Sequence, residues 1–510
     1  MRQGNGFSRS IHKSAFTASL LLLVTARVWP QQNSAPPNDA SISTAVQQLQ
    51  EQVRELRSAV MELRSEADQY RAETAELRKA LQASRAQTSS EAPAPAQPTA
   101  GTLENQIENR VEALEESSQL INSKINDQYQ TKVESASKYR MRLSGLVLLN
   151  VFSNHGIVEN QDFPTWVIPS ASKPTTLGAS LRQSEIGLEV FGPQLLGART
   201  SGSLQVDFAG GFPTVQNGVN YGYVRLRTGS MRLDWEKSAL VAGQDNVFVS
   251  PLSPTSFASL AVPAFAYAGN LWGWIPQVRL EHRFTVSENQ SFLLQGGILD
   301  NLVGQPPSRD YDRDAQAGEA SGQPAYAFRA AWTRPLFARP MTIGAATYYS
   351  RQNWGSRQNV NGWAGMADWE IPFNSRLSLS GEFYRGLALG GFGAALGRSV
   401  QFSDNPGPGF MVRALNSIGG WSQLKFRASE KLEFNGAFGL DNPYADDVRA
   451  LPQSYFDPFL LQNRSSFVNF IYRPRSDLLL SAEYRHLRTF DIFAQSPTAD
   501  QVNLMMGILF

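Results

Sequence analysis

The chain has no cysteine among its 510 residues. That removes disulfides, thiol catalysis and Cys-ligated metal sites together, and it is compatible with an oxidising periplasm. Histidine is scarce as well. His12 lies in the N-terminal leader, His155 in the first long connection, His282 on the outward phase of a strand and His486 near a strand end. No HExxH spacing and no Ser/His/Asp grouping emerges, so no metal, no cofactor and no catalysis are expected. Past the N-terminus no apolar run reaches the eighteen residues of a spanning helix, and mean hydropathy is −0.29. A net charge of +1 points to no polyelectrolyte partner, and so to no nucleic acid. None of these absences excludes a transmembrane barrel, whose lipid-facing residues are only every second one. What the chain has instead is 40 glycines and 11% aromatic residues, a composition that suits many strands, tight turns and interfacial girdles.

Taken from the N-terminus, Arg2, Arg9 and Lys13 precede an apolar run at 15–24, with small residues before a cut near Ala26. Residues 1–26 read as a secretory signal peptide, too short to span. Residues 41–85 then place Val46, Leu49, Val53, Leu56, Val60 and Leu63 on a seam whose spacing alternates four and three. This predicts a periplasmic coiled coil about 60 Å long, with dimer or trimer left open. Peptidoglycan is a candidate partner of that rod. A Pro/Ala/Ser-rich linker follows at 86–101, then a second helical segment at 102–136 carrying Ile107, Val111 and Leu114 on one side.

From Tyr139 the period changes to two and stays there. Leu204 and Val206 oppose Gln205 and Asp207; Leu280 and Phe284 oppose Arg279, Glu281 and Arg283; Leu478 and Leu480 precede a stretch where Tyr484 opposes Glu483 and Arg485. One face is lipid-like throughout and the other is wet, the reverse of a soluble sandwich with a dry core. Residues 501–510 close the series, with Val502, Leu504, Met506, Ile508 and Phe510 on one face and nothing polar after Phe510. Ile508 and Phe510 are the expected closure residues. Short connections alternate with long ones, as between a periplasmic and an outer rim. The predicted fold over 139–510 is an all-β transmembrane barrel of about 16 antiparallel strands, preceded by the N-terminal α-helical coiled coil.

The connection at 246–272 is the third long one and has no charge between Asp245 and Arg279. Stiffened by Pro251, Pro254 and Pro263, it is expected to fold into the lumen, with Phe248, Phe257, Phe265 and Tyr267 as the constriction candidates. Charge selection then falls to the wall. The pore-lining candidates are Arg225, Arg227, Arg232, Arg279, Arg283, Arg329, Lys425 and Arg485, with Glu281 and Glu483 among the facing acids. Both signs are present, so cross-strand pairing competes with solute binding. Arginines clustered on the fourth and sixth strands favour anions, which a guanidinium binds bidentately.

The runs Leu204-Gln205-Val206-Asp207-Phe208-Ala209-Gly210, Val241-Ala242-Gly243-Gln244 and Pro276-Gln277-Val278-Arg279 resemble, in order and spacing, strand motifs of the DcaP-like trimeric porins, and more loosely of the phosphate-selective porins O and P. The resemblance covers the barrel and the N-terminal coil. It implies a homotrimer embedded in outer-membrane lipid, a periplasmic coil and passive uptake of small hydrophilic, often anionic solutes. Asp245-Asn246 after Gly243-Gln244 departs from the pattern, where an aromatic and hydroxyl residues are more usual. The competing reading is an envelope spacer, with the barrel as anchor and the coil as a periplasmic rod.

Overall fold

A strand with one apolar and one wet face leaves backbone groups unpaired at both edges, and a sheet of such strands satisfies all of them only by closing. The computed structural model shows that closure. It describes residues 132–133, 140–170, 172–211, 222–287, 289–303, 313–337, 339–355, 357–403, 411–451, 460–492 and 496–510. The signal peptide, the coiled-coil seam and the linker lie outside the described residues, as does all of the second helical segment except Lys132 and Val133. Those two residues pair antiparallel with Arg142 and Met141.

Sixteen antiparallel strands make the barrel. They are β1 (Arg140–His155), β2 (Thr175–Ser180 and Glu185–Leu195), β3 (Ala198–Asp207), β4 (Arg225–Asp234), β5 (Ser238–Asn246), β6 (Trp274–Ser287), β7 (Gln290–Leu299) and β8 (Ala325–Leu336). The second half comprises β9 (Arg339–Asn353), β10 (Asn359–Pro372), β11 (Leu377–Leu387), β12 (Asn416–Arg427), β13 (Leu432–Pro443), β14 (Leu460–Arg475), β15 (Leu478–Asp491) and β16 (Thr498–Leu509). Each strand pairs with the next, and β16 returns to β1 with Leu509 opposite Leu146 and Asp500 opposite His155. β2 is one strand in two pieces. Both pieces pair with β1, and a turn at 181–184 interrupts them, closed by the Ser184 amide donating to the Leu181 carbonyl.

The wall is apolar outside and polar inside. On β16, Leu504 is 57% exposed outward while Asn503 and Gln501 are buried. Connections on one rim are two to four residues, such as 196–197 and 476–477. On the opposite rim loop 1 (156–174), loop 2 (208–224), loop 3 (247–273), loop 4 (300–324) and loop 6 (388–415) are long. Loop 5 (354–358) and loop 8 (492–497) on that rim are short, so the alternation of lengths is not strict.

Candidate pore and its constriction

Loop 3 lies inside the barrel. It leaves β5, crosses the lumen and is bonded to the far wall at successive points. The Ser250 hydroxyl and the Leu252 amide donate to the Glu382 carboxylate on β11, at 2.5 and 2.8 Å. The Thr255 amide donates to Gln423 Oε1 on β12 at 2.6 Å. The Ser256 hydroxyl reaches Glu483 on β15 at 2.5 Å. Asn469 and Asn463 of β14 donate to the Thr255 and Tyr267 carbonyls, both at 2.9 Å. In the interruption of β2, Gln183 accepts from the Leu260 and Ala261 amides and donates to the Ala258 carbonyl. A charge-free loop thus satisfies its backbone from polar side chains of the wall, which is the condition for burying irregular backbone.

Packing fixes the same path. Phe265 packs against Phe467 with centroids 5.1 Å apart and the rings tilted by 36°, beside Trp421 and Ala437. Gly439 allows this approach, because a Cβ there would lie 2.4 Å from the Ala268 carbonyl and 2.7 Å from the Phe265 ring. Phe248 lies in a cluster with Ala327, Ala346 and Ala364, whose short side chains on β8, β9 and β10 leave room for it. Phe265 and Tyr267 both take positive φ, at 62° and 60°, a conformation that non-glycine residues keep only when their surroundings impose it. Of the constriction candidates, Phe248 and Phe265 are therefore buried anchors. Phe257 is half-buried with the Arg473 guanidinium 5.7 Å from its ring centre.

Tyr267 belongs to an aromatic row that no periodicity announces. Trp166 of loop 1 meets its edge at 5.3 Å, Trp272 follows at 6.2 Å and Trp274 at 5.5 Å from Trp272. All four are half-buried. The guanidiniums of Arg225 and Arg227 sit 4.9 and 4.8 Å from the Trp274 ring centre, within cation–π range. In loop 1, burial pushes the Glu159 carboxyl above its ordinary range, opposed by hydrogen bonds from Thr165 and Asn160.

The wall candidates are almost all paired. Arg225 bonds Asp207 at 2.6 Å and also donates to the Ala261 carbonyl of loop 3. Arg227 meets Glu185, with Asp207 at 3.9 Å. Arg279 is held between Asp245 at 2.8 Å and Glu281 at 2.7 Å, and Arg232 between Asp234 at 2.8 Å and Glu281 at 3.1 Å. Across the barrel Arg329 pairs with Asp368, Arg485 with Glu483 and Lys425 with Glu433. Arg283, further toward the short-turn rim, is exposed and has no ion pair among the described residues. Of these pore-lining candidates, Arg279 is thus enclosed by two carboxylates and only Arg283 stands open. Asp245, the very residue at which the motif departs, neutralises Arg279 from the adjacent strand. The arginine and acid side chains of β2 to β6 instead offer donors and acceptors side by side at nearly balanced charge. Arg225, Arg232, Asp234 and Asp245 keep 21–38% of their side chains accessible, while Arg329, Asp368, Glu483 and Arg485 are buried.

No family model matches the chain, and no curated protein sequence matches it. Among solved structures, the outer membrane channel DcaP of Acinetobacter baumannii superposes with a TM-score of 0.57 at 16% identity, covering 74% of this chain and 100% of that one. OprB of Pseudomonas putida gives 0.45 at 12% identity over 73% and 94% of the two chains. An anion-selective porin from Comamonas acidovorans gives 0.43 at 10% identity over 73% and 100%. The match to DcaP shows a shared fold.

Proposed function

We propose that this chain is an outer-membrane porin through which small hydrophilic solutes diffuse passively. The observation that carries the reading is loop 3. A charge-free segment fills one side of an apolar-coated barrel and leaves the charge-paired wall of β2 to β6 on the other, as a hydrated constriction requires. Purified protein in a planar bilayer should give discrete conductance steps, and in liposomes it should admit a small sugar. A barrel serving only as the anchor of a periplasmic rod passes neither. Anion preference, if the arginines supply it, rests on Arg283 more than on the doubly paired Arg279. Arg283→Gln is expected to lower the anion-to-cation permeability ratio by up to about fivefold, since a unit charge at contact in a watery pore is worth about 1 kcal/mol. Arg279→Gln should shift it less. The zero-current potential in a salt gradient reads both, and equal shifts would sink the distinction.

We also infer a homotrimer from an asymmetry of the outer wall. Every strand from β6 to β15 carries an outward aromatic, among them Phe284, Phe292, Phe328, Tyr349, Trp363, Phe383, Phe426, Phe434, Phe470 and Tyr484. The strand residues facing outward on β1 to β5 are Val147, Leu188, Leu204, Gly202, Gly229, Met231, Ala242 and others of the same kind, without an aromatic. β16 presents Val502, Leu504, Met506 and Ile508. Aromatic girdles mark lipid contact, and small aliphatic faces let backbones approach. Six strands about 4.8 Å apart across a band about 25 Å tall give roughly 700 Å², the order of one partner's share in a stable interface. Gly202→Trp should therefore dissociate the oligomer in mild detergent. The same change at Gly365 of β10, where an added Cβ meets nothing within 4 Å, should not. If both variants run as intact oligomers, this arc is not the contact.

A further inference from the structure

Where the outward face of β14, β15 and β16 leaves its apolar band, two rows of polar side chains run in register. In the first, Ser466, His486 and Asp500 lie side by side, and His155 of β1 follows Asp500. Asp500 is bonded to His486 at 2.8 Å and to the Tyr484 hydroxyl at 2.7 Å. The second row, one step nearer the long-loop rim, is Arg464, Arg488 and Thr498. Arg464 and Arg488 are directly opposed on neighbouring strands and both exposed. Like charges so placed repel, and neither has an ion pair among the described residues. Both guanidiniums lie on one aromatic side chain, at 4.9 and 4.5 Å from the Phe490 ring centre. The Lys173 ammonium joins them, donating to Thr498 Oγ1 at 2.7 Å.

A protein surface in water would scatter these cations or interleave an acid. Here three are gathered at one height, just beyond Val468, Tyr484 and Val502, which are 46–58% exposed on the apolar band. On the porin reading, on which this inference rests, that height is the head-group level of the outer leaflet. We infer that Arg464, Arg488 and Lys173 form a binding site for a phosphorylated glycolipid head group of that leaflet. A phosphate between two guanidiniums accepts bidentate, charge-assisted hydrogen bonds and removes their mutual repulsion, and Phe490 holds both forks in place from beneath. The acyl chains then run down the outward face past Val468 and Tyr484. Clustered basic residues at a membrane boundary are the general means of holding anionic lipid head groups.

The test uses the full chain refolded into detergent free of native lipid. It is titrated with a bisphosphorylated glucosamine-disaccharide lipid and with the dephosphorylated form, and bound lipid is counted by native mass spectrometry. The protein should prefer the phosphorylated lipid. Arg464→Gln with Arg488→Gln should weaken its retention about tenfold or more, as expected for lost charge-assisted bonds, and leave the dephosphorylated lipid unaffected. Equal retention by the variant, or no preference in the unaltered protein, overturns the site; the second measurement stands even where the variant does not fold. Complete displacement by inorganic phosphate at the same molar excess would make it a free-anion site and overturn the lipid assignment. Bilayer conductance of the same samples reports separately on the porin reading, because neither arginine faces the lumen.

Discussion

Excising residues 251–268 of loop 3, with a two-glycine bridge, is expected to raise single-channel conductance about threefold or more, since a sixteen-stranded barrel encloses an aqueous channel when nothing fills it. The base of the loop is already pinched. The Val247 amide donates to the Gly273 carbonyl, and the Ser250 hydroxyl oxygen lies 2.7 Å from the Leu271 carbonyl oxygen. The strands on either side therefore need not move to accept a short bridge. Excision also exposes Glu382, Gln423, Asn469 and Glu483 to water, which solvates them as well as the loop did. Folding should persist, with conductance the property that changes. Cutting one tether has a smaller effect. Glu382→Ala strips its partner from the Leu252 amide, while the Ser250 hydroxyl keeps the Leu271 carbonyl, and an unpartnered buried group costs about 1–3 kcal/mol. The expected result is current noise from a loosened loop at an unchanged mean. Unaltered conductance after excision would place the constriction elsewhere. Loop 6 is then the next candidate, because the Leu396 amide is pinned to Asp441 of β13 and the Phe392 carbonyl to the Trp272 amide.

The barrel and the path of loop 3 were legible for physical reasons that act locally. A wet face at period two excludes a dry core wherever it occurs, so each strand carries its own evidence. A loop without charge between Asp245 and Arg279 is cheaper to bury than one with charge, whatever surrounds it. Register is different. That Asp245 neutralises Arg279, or that Arg464 opposes Arg488, depends on which residues of two strands align, and a sequence gives each strand's pattern without its offset from the next. The interruption of β2 was illegible for the same reason. Arg182 turns inward there to Asp162 of loop 1 at 3.1 Å and Gln183 to loop 3, partners far along the chain. The aromatic row of Trp166, Tyr267, Trp272 and Trp274 draws on two loops with no periodicity to follow. Loop 2 escaped notice because 208–224 holds a single proline, Pro213, and no charge run to mark it. The coiled-coil expectation lies in residues outside those described, and its seam from Val46 to Leu63 stands as a proposal for an isolated peptide to test.

Removing Phe510 is expected to abolish most assembly of the folded barrel, and Gly145→Val to do nearly the same for a different reason. The last residue closes the ring. Its amide donates to the Gly145 carbonyl at 3.1 Å, and its carbonyl accepts from the Gly145 amide at 2.9 Å. Without it both Gly145 groups face an apolar boundary unpaired, at a cost of a few kcal/mol each in hydrocarbon and less toward the rim. Gly145 has no side chain where the Phe510 ring lies: a Cβ there would sit 2.5 Å from that ring and 2.7 Å from the Glu185 carbonyl of β2. Valine thus collides with the closing strand on one side and the neighbouring strand on the other. Ile508→Asp is milder. Its side chain is 55% exposed outward, and an acid on the lipid face costs less than the about 2–4 kcal/mol of Arg or Lys at the midplane. The measurement is the fraction of chain that shows heat-modifiable mobility in isolated membranes. Pairing Gly145→Val with Phe510→Ala separates the two collisions. It relieves the ring but not the Glu185 carbonyl, so recovery should be partial. Full recovery would mean that the ring alone sets the requirement for glycine, and normal levels of the Phe510 deletion would mean that β16 and β1 close without their terminal residue.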